Sequence, residues 1–257
     1  MFSETPSFWA DRIRASALHL AFSLCIATAA ALLVFGMWYP YPYREISGGR
    51  ELFLLVVTVD VILGPLITLA VFNRKKPWNE LRRDLALVGV LQMLALGYGL
   101  WTVAVARPVH LVFEIDRFRV VHAIDVDPDL LAQTPAGLNA LPLTGPSVLG
   151  LRAFKDNKEQ MDATMAALQG AQLGFRPDLW QSYEKSVKNV LKEAKPVASL
   201  LTRFPDQANA IRGVVQDADR KAEDLVFLPM IGRKSFWTVF LDPATAQIVA
   251  FMPLDSF

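Results

Sequence analysis

The chain has 257 residues, 53% of them apolar, and a formal net charge of +1. That balance removes any electrostatic case for nucleic-acid binding, which needs a basic face. Its single cysteine, Cys25, cannot close an intrachain disulfide, so thiol usage does not identify a compartment.

The apolar excess lies before Arg107. Three long apolar runs there predict a transmembrane module over residues 1–106, with spans at about 15–39, 52–72 and 85–106. Residues 1–14 form a polar lead with Arg12 and Arg14. Ala15 to Tyr39 is then apolar, and Ala27-Thr28-Ala29 resembles a signal-peptide cleavage site. The run continues to Trp38, beyond a signal core of roughly 7–15 residues, which favours a retained anchor. Trp38, Tyr39, Tyr41 and Tyr43 predict an aromatic belt at a membrane interface. Pro40 to Arg50 reads as a short loop.

The second span, within Glu51 to Asn73, breaks two rules of a spanning helix. Asp60 puts a carboxyl near its middle, and Gly64-Pro65 follows one turn later. A carboxyl in hydrocarbon is costly and turns towards other helices or a polar cavity. Proline removes one backbone donor, which predicts an interrupted helix and an unpaired carbonyl at Val61. Asp60, Gly64 and Pro65 are therefore the candidate intramembrane partner-binding residues. Their role is open between a relay, a latch for a partner helix, and a carboxyl that only holds the bundle together. Ser23, Ala27 and Ala31, and Ala95 and Gly99, have helix-packing spacing, although membrane helices are rich in small residues anyway.

Arg74, Lys75, Lys76, Arg82 and Arg83 crowd the loop before the third span. With Arg12 and Arg14 they favour a cytoplasmic N-terminus, and three spans then put residues 107–257 in the periplasm. That portion is nearly neutral, with 17 basic and 18 acidic residues.

After Arg107 the pattern changes. Val109 to Ile115 alternates as a strand, with Leu111, Phe113 and Ile115 on one face, and Phe118 to Ile124 continues or pairs with it. Residues 126–150 are punctuated by Pro and Gly. Helical spacing recurs over 155–169 (Met161, Met165, Leu168), 177–194 (Trp180, Tyr183, Val187, Val190, Leu191, Ala194) and 206–221 (Ile211, Val214, Val215, Ala218). Strands are predicted at 225–228, 236–241 and 247–251, the last two as a hairpin around Asp242-Pro243-Ala244-Thr245. The fold class is thus a membrane protein, a three-helix transmembrane module followed by a soluble α+β domain. That domain is expected to fold without the spans.

Catalytic motifs do not emerge. No Gly-Lys-Ser/Thr occurs, and Gly145-Pro146-Ser147-Val148-Leu149-Gly150 is one residue too long for a nucleophile elbow. His110 and His122 lack Cys or His partners at metal spacing, and His19 lies near the start of the first span. Asp125-Val126-Asp127-Pro128-Asp129 begins like a calcium loop but has Leu130 where glycine is needed and Ala136 where glutamate is needed. Lys185, Lys188, Lys192 and Lys195 form a stripe that reads as a solvated face, or as a docking face for an acidic partner or lipid headgroups. The expectation is no enzyme, no cofactor and no metal.

Several stretches carry a resemblance. They are Phe35-Gly36-Met37-Trp38-Tyr39-Pro40, Gly49-Arg50-Glu51-Leu52 and Val59-Asp60-Val61-Ile62-Leu63-Gly64-Pro65-Leu66-Ile67-Thr68-Leu69. Tyr98-Gly99-Leu100, Ala106-Arg107-Pro108-Val109 and Phe113-Glu114-Ile115-Asp116-Arg117-Phe118-Arg119-Val120-Val121 belong with them. From about residue 12 to 125 the chain resembles the type IV pilin accessory proteins of the TfpX/TfpZ kind. The resemblance implies a non-enzymatic protein of the bacterial inner membrane that assists pilus assembly or dynamics. Its implied partners are a pilin subunit and other inner-membrane proteins of the pilus machinery. The competing reading is a membrane-anchored periplasmic sensor or ligand-binding protein, which lacks a cytoplasmic output domain in this sequence.

Overall fold

Among the described residues of the computed structural model, three helices are long and apolar enough to cross a membrane, Trp9–Trp38, Gly49–Val71 and Trp78–Val105. The structure describes residues 6–257. By backbone proximity these divide into two units. The first holds the chain up to Met37 and Gly49–Val105, and the second holds Trp38–Gly48 and Ala106–Phe257.

In the first unit, α1 (Pro6–Leu33) ends in a π turn, Val34–Trp38. A short helix α2 (Tyr43–Ile46) follows in the second unit. The second span is composite: α3 (Gly49–Thr58), a π turn (Val59–Leu63) and α4 (Gly64–Val71). The third is α5 (Trp78–Val105). Helix α1 packs on α4 and α3 packs on α5. Two polar bonds tie α1 to α4: the Ser16 hydroxyl donates to the Pro65 carbonyl at 2.9 Å, and His19 Nδ1 meets Thr68 Oγ1 at 2.5 Å. Gly99 lets α5 close on α3, because a Cβ there would lie 2.6 Å from Val56. Asp11 pairs with Arg74 at 3.2 Å.

In the second unit, eight strands among the described residues form one mixed sheet. They are β1 (Pro108–Glu114), β2 (Arg117–His122), β3 (Ser147–Leu151), β4 (Trp180–Ser182), β5 (Lys195–Pro196), β6 (Val226–Ile231), β7 (Phe236–Leu241) and β8 (Ile248–Met252). Their order is β4-β3-β1-β2-β6-β7-β8, with β5 also on β6. The β1–β2 hairpin is central, flanked by parallel β3 and β6. The period-2 pattern sorts the side chains to both faces. Leu111, Phe113, Phe118 and Val120 enter one core, while Val109, Val112 and Val121 enter another with Leu149 and Trp180. The helices are α6 (Asn157–Leu168), α7 (Val187–Glu193), α8 (Ala198–Arg203) and α9 (Ala208–Asp217). Ile211 and Val215 of α9 and Leu200 of α8 pack with Phe227, Phe240 and Met252 of the sheet.

The segment between the first two spans is built into this domain. Tyr43 and Ile46 belong to the same core as Leu111, Phe118, Met230 and Trp237. Ile46 is fully buried, against Gly232, where a Cβ would collide with its methyl group. The Lys234 amide donates to the Ile46 carbonyl at 3.3 Å, and the Tyr43 ring stands edge-on to Phe251 at 6.0 Å. Two expected belt residues, Tyr39 and Tyr43, are therefore core residues, and Tyr41 is the exposed tyrosine of the group.

Three local readings change. Residues 177–194 are not one helix. Pro177–Leu179 is a 3₁₀ turn, Trp180–Ser182 is β4, and α7 begins only at Val187. Trp180 is held there by pairing with Leu151 and by its indole N–H, which donates to the Gly174 carbonyl at 2.9 Å. Met161, Met165 and Leu168 face outward, and Ala163 is the buried side of α6. Ile115 leaves the strand face, turning at the hairpin tip with φ 47° and 71% exposure.

Candidate functional site

The second span does not break at Gly64-Pro65. Gly64 keeps helical angles (φ −60°, ψ −56°), and the strain is taken up by the π turn before it. In a π turn the N–H of residue i+5 serves the carbonyl of residue i. The N–H that Pro65 lacks is therefore the one owed to Asp60, not to Val61 as the α-helical register predicts. Gln92 on α5 supplies the replacement, its Nε2 donating to the Asp60 carbonyl at 3.2 Å. The same nitrogen donates to Asp60 Oδ1 at 3.1 Å. Rescue of a freed carbonyl by a neighbouring helix is how such prolines are tolerated in lipid.

Gly64 makes this geometry possible. A Cβ at that position would collide with the Gln92 amide. Asp60, Gly64 and Pro65 thus come together with Gln92 as one polar node, and all three are buried within the first unit. Asp60 is only 8% exposed. Sequence reading missed Gln92. Its signal was available: it is a polar residue in an otherwise apolar, uncharged span, at the depth where Asp60 needs a donor.

The node sits on the wall of a groove of about 360 Å³ between the second and third spans. Val56, Val59, Leu63 and Ile67 line one side, and Leu91, Ala95, Leu96 and Gly99 the other. The lining is apolar except at Asp60, Gln92, Tyr98 and Thr102. The Thr102 hydroxyl is already engaged, donating to the Tyr98 carbonyl at 2.9 Å.

The other singled-out residues have local roles. His110 lies under Trp180, with Nδ1 2.7 Å from Ser147 Oγ and Nε2 3.0 Å from the Ala140 carbonyl. Burial pushes its pKa down to about 4, so it is neutral. Burial also lowers His122, which bonds Asp125 at 2.9 Å, and Arg233 meets the other oxygen of Asp125 at 2.9 Å. Asp127 caps a turn by accepting the Asp129 amide at 2.9 Å. Lys185, Lys188, Lys192 and Lys195 are exposed but divided among a 3₁₀ turn, α7 and β5. Among the described residues no His, Cys, Asp and Glu side chains gather as a metal cluster.

Three long apolar helices with a polar node beside an apolar groove, followed by a soluble domain of helices and a mixed sheet, define the class as a membrane protein with a soluble α+β domain. Comparison with known proteins gives the family. A family model described as the fimbrial assembly protein FimB matches residues 7–48, the first span and the segment built into the second unit. The serogroup I fimbrial assembly protein of Dichelobacter nodosus is 34% identical over 244 residues, covering 94% of this chain and 95% of the relative. The serogroup E1 protein of the same organism is 33% identical over the same shares. A third, from serogroups C1 and C2, is 39% identical over 118 residues, 46% of this chain and 90% of its own length. The chain belongs to the fimbrial assembly protein family. No solved structure matches it significantly.

Proposed function

We propose that this chain assists fimbrial assembly as a type IV pilin accessory protein of the TfpX/TfpZ kind. It acts from the bacterial inner membrane by holding pilin subunits, with their apolar helix in the groove between the second and third spans. The observation that carries the reading is Asp60, a nearly buried carboxyl on the wall of an apolar groove in a chain whose relatives are named for assembly. Helix association in lipid gains little from apolar burial and depends on close packing and interhelical hydrogen bonds. Ala95, exposed on the groove wall, offers the close packing, and Asp60 with Gln92 the polar contact. Other inner-membrane proteins of the pilus machinery would meet the remaining apolar helix faces.

The topology in this reading has a cytoplasmic N-terminus and a periplasmic second unit. The five basic residues between Arg74 and Arg83 support it. The second unit fits three spans in either orientation: it combines the segment after the first span with the chain after the third, two pieces that lie on one side of a three-span protein. Catalysis has no part in the proposal. The test is co-purification of pilin with the wild-type chain and with Asp60→Leu at matched protein levels. Loss of an interhelical bond should reduce capture by about three- to thirty-fold. Undiminished capture by a folded Asp60→Leu variant overturns the assignment of the site.

A further inference from the structure

We infer that the groove selects a transmembrane helix that brings a hydrogen-bond donor to the level of Asp60. This rests on the helix-docking reading above and names the chemistry of what docks. Gln92 has two amide hydrogens, and both are engaged on Asp60, one at the carbonyl and one at Oδ1. What remains of the node is Gln92 Oε1, which can only accept, and Asp60 Oδ2, which accepts in the carboxylate form. Among the described residues neither receives a protein donor, and neither is sealed off, since both residues line the groove. The Thr102 hydroxyl is engaged elsewhere, and the Tyr98 hydroxyl makes no bond to either oxygen. With Asp60 as the carboxylate, the node is an acceptor patch on an apolar wall.

Hydrocarbon has no donors to offer such a patch, and an unsatisfied polar group there is expensive. A helix bearing a hydroxyl, indole or amine at that depth satisfies it, and a purely apolar helix or a lipid chain does not. Gln92 occupies Asp60 Oδ1 and the carbonyl, so Oδ2 is the carboxyl oxygen left for the occupant. Gly64 keeps Gln92 in that place, because any larger residue would push its amide away.

The test uses the full chain in lipid nanodiscs and three synthetic Leu/Ala transmembrane peptides of about twenty residues. They are identical except for a central Ser, O-methylserine or Ala. Serine can donate, O-methylserine can only accept, and Ala does neither. The expected result is that the Ser peptide binds about three- to thirty-fold more tightly than the other two. Asp60→Leu should remove that preference. Gln92→Met, which frees Oδ1 as a further acceptor, should keep it, and this holds the test open if Asp60→Leu does not fold. Equal binding of the three peptides overturns the inference, as does O-methylserine matching serine. Self-association of the chain that Asp60→Leu abolishes would give the groove to a second copy and also overturn it. No pilin enters this assay, so its failure and the failure of the pilin reading are separate results.

Discussion

At the scale of single residues, buried polar groups in both units are held by hydrogen bonds. Asp60 keeps a polar contact because Pro65 leaves its carbonyl without a backbone donor and Gln92 supplies one. His110 is fully buried and satisfied as a neutral ring, accepting from Ser147 and donating to the Ala140 carbonyl. Its folded pKa, lowered to about 4 by burial, lies below the ordinary value of 6.5. Between those values the unfolded chain binds a proton that the folded chain does not. Stability from His110 is therefore fully present above about pH 6.5 and lost as pH falls towards 4, at up to about 1.4 kcal/mol per pH unit. Burial depresses His122 as well, which acts in the same direction. Thermal unfolding of the second unit within the full chain should shift down across that window, and His110→Gln should flatten the slope. An unchanged slope would contradict the neutral-ring account.

At the scale of elements, the decisive piece is the segment between the first two spans. Ile46 fills a site against Gly232 in the core, so Ile46→Ala should destabilise the second unit by about 2–5 kcal/mol. A fragment of residues 107–257 lacks both Tyr43 and Ile46 from its core. It should melt lower, by denaturant or heat, than a chimera that joins residues 38–48 to residues 106–257 by a flexible linker. Equal stability of the two would show that the segment is dispensable. The spans, the β1–β2 alternation and the final hairpin were legible in sequence because each carries its own period or length. The insertion was not, because Tyr39, Tyr43 and Ile46 lie beside an apolar span, and an aromatic cluster there reads as an interface belt. Residues 177–194 misled for a related reason. Trp180 is buried and Tyr183 partly buried at helical spacing, but Trp180 is placed by sheet pairing and by its indole bond to Gly174, and Tyr183 lies in a 3₁₀ turn with its hydroxyl donating to the Ala246 carbonyl. The candidate site was half legible. Asp60, Gly64 and Pro65 stand out by residue type, whereas the π turn and the contact from Gln92 depend on the neighbouring helix.

At the scale of the whole molecule, a three-span topology and a discontinuous second unit impose the same constraint, since both require the first loop and the last 152 residues on one side. A reporter active only in the periplasm should work when fused after Phe257 and fail when fused near Trp78. The reverse pattern would invert the protein and sink the proposed location. The account's central claim is that the groove holds the helix of a pilin subunit, and site-specific photocrosslinking in cells tests it most directly. A photoreactive residue would replace Leu63 or Leu91, which are exposed on the two walls of the groove, with Val90, exposed and outside the lining, as the control. The account predicts crosslinks to pilin from positions 63 and 91, weakened by Asp60→Leu and absent from position 90. Crosslinks to lipid alone at 63 and 91, or equal pilin capture from position 90, would contradict it.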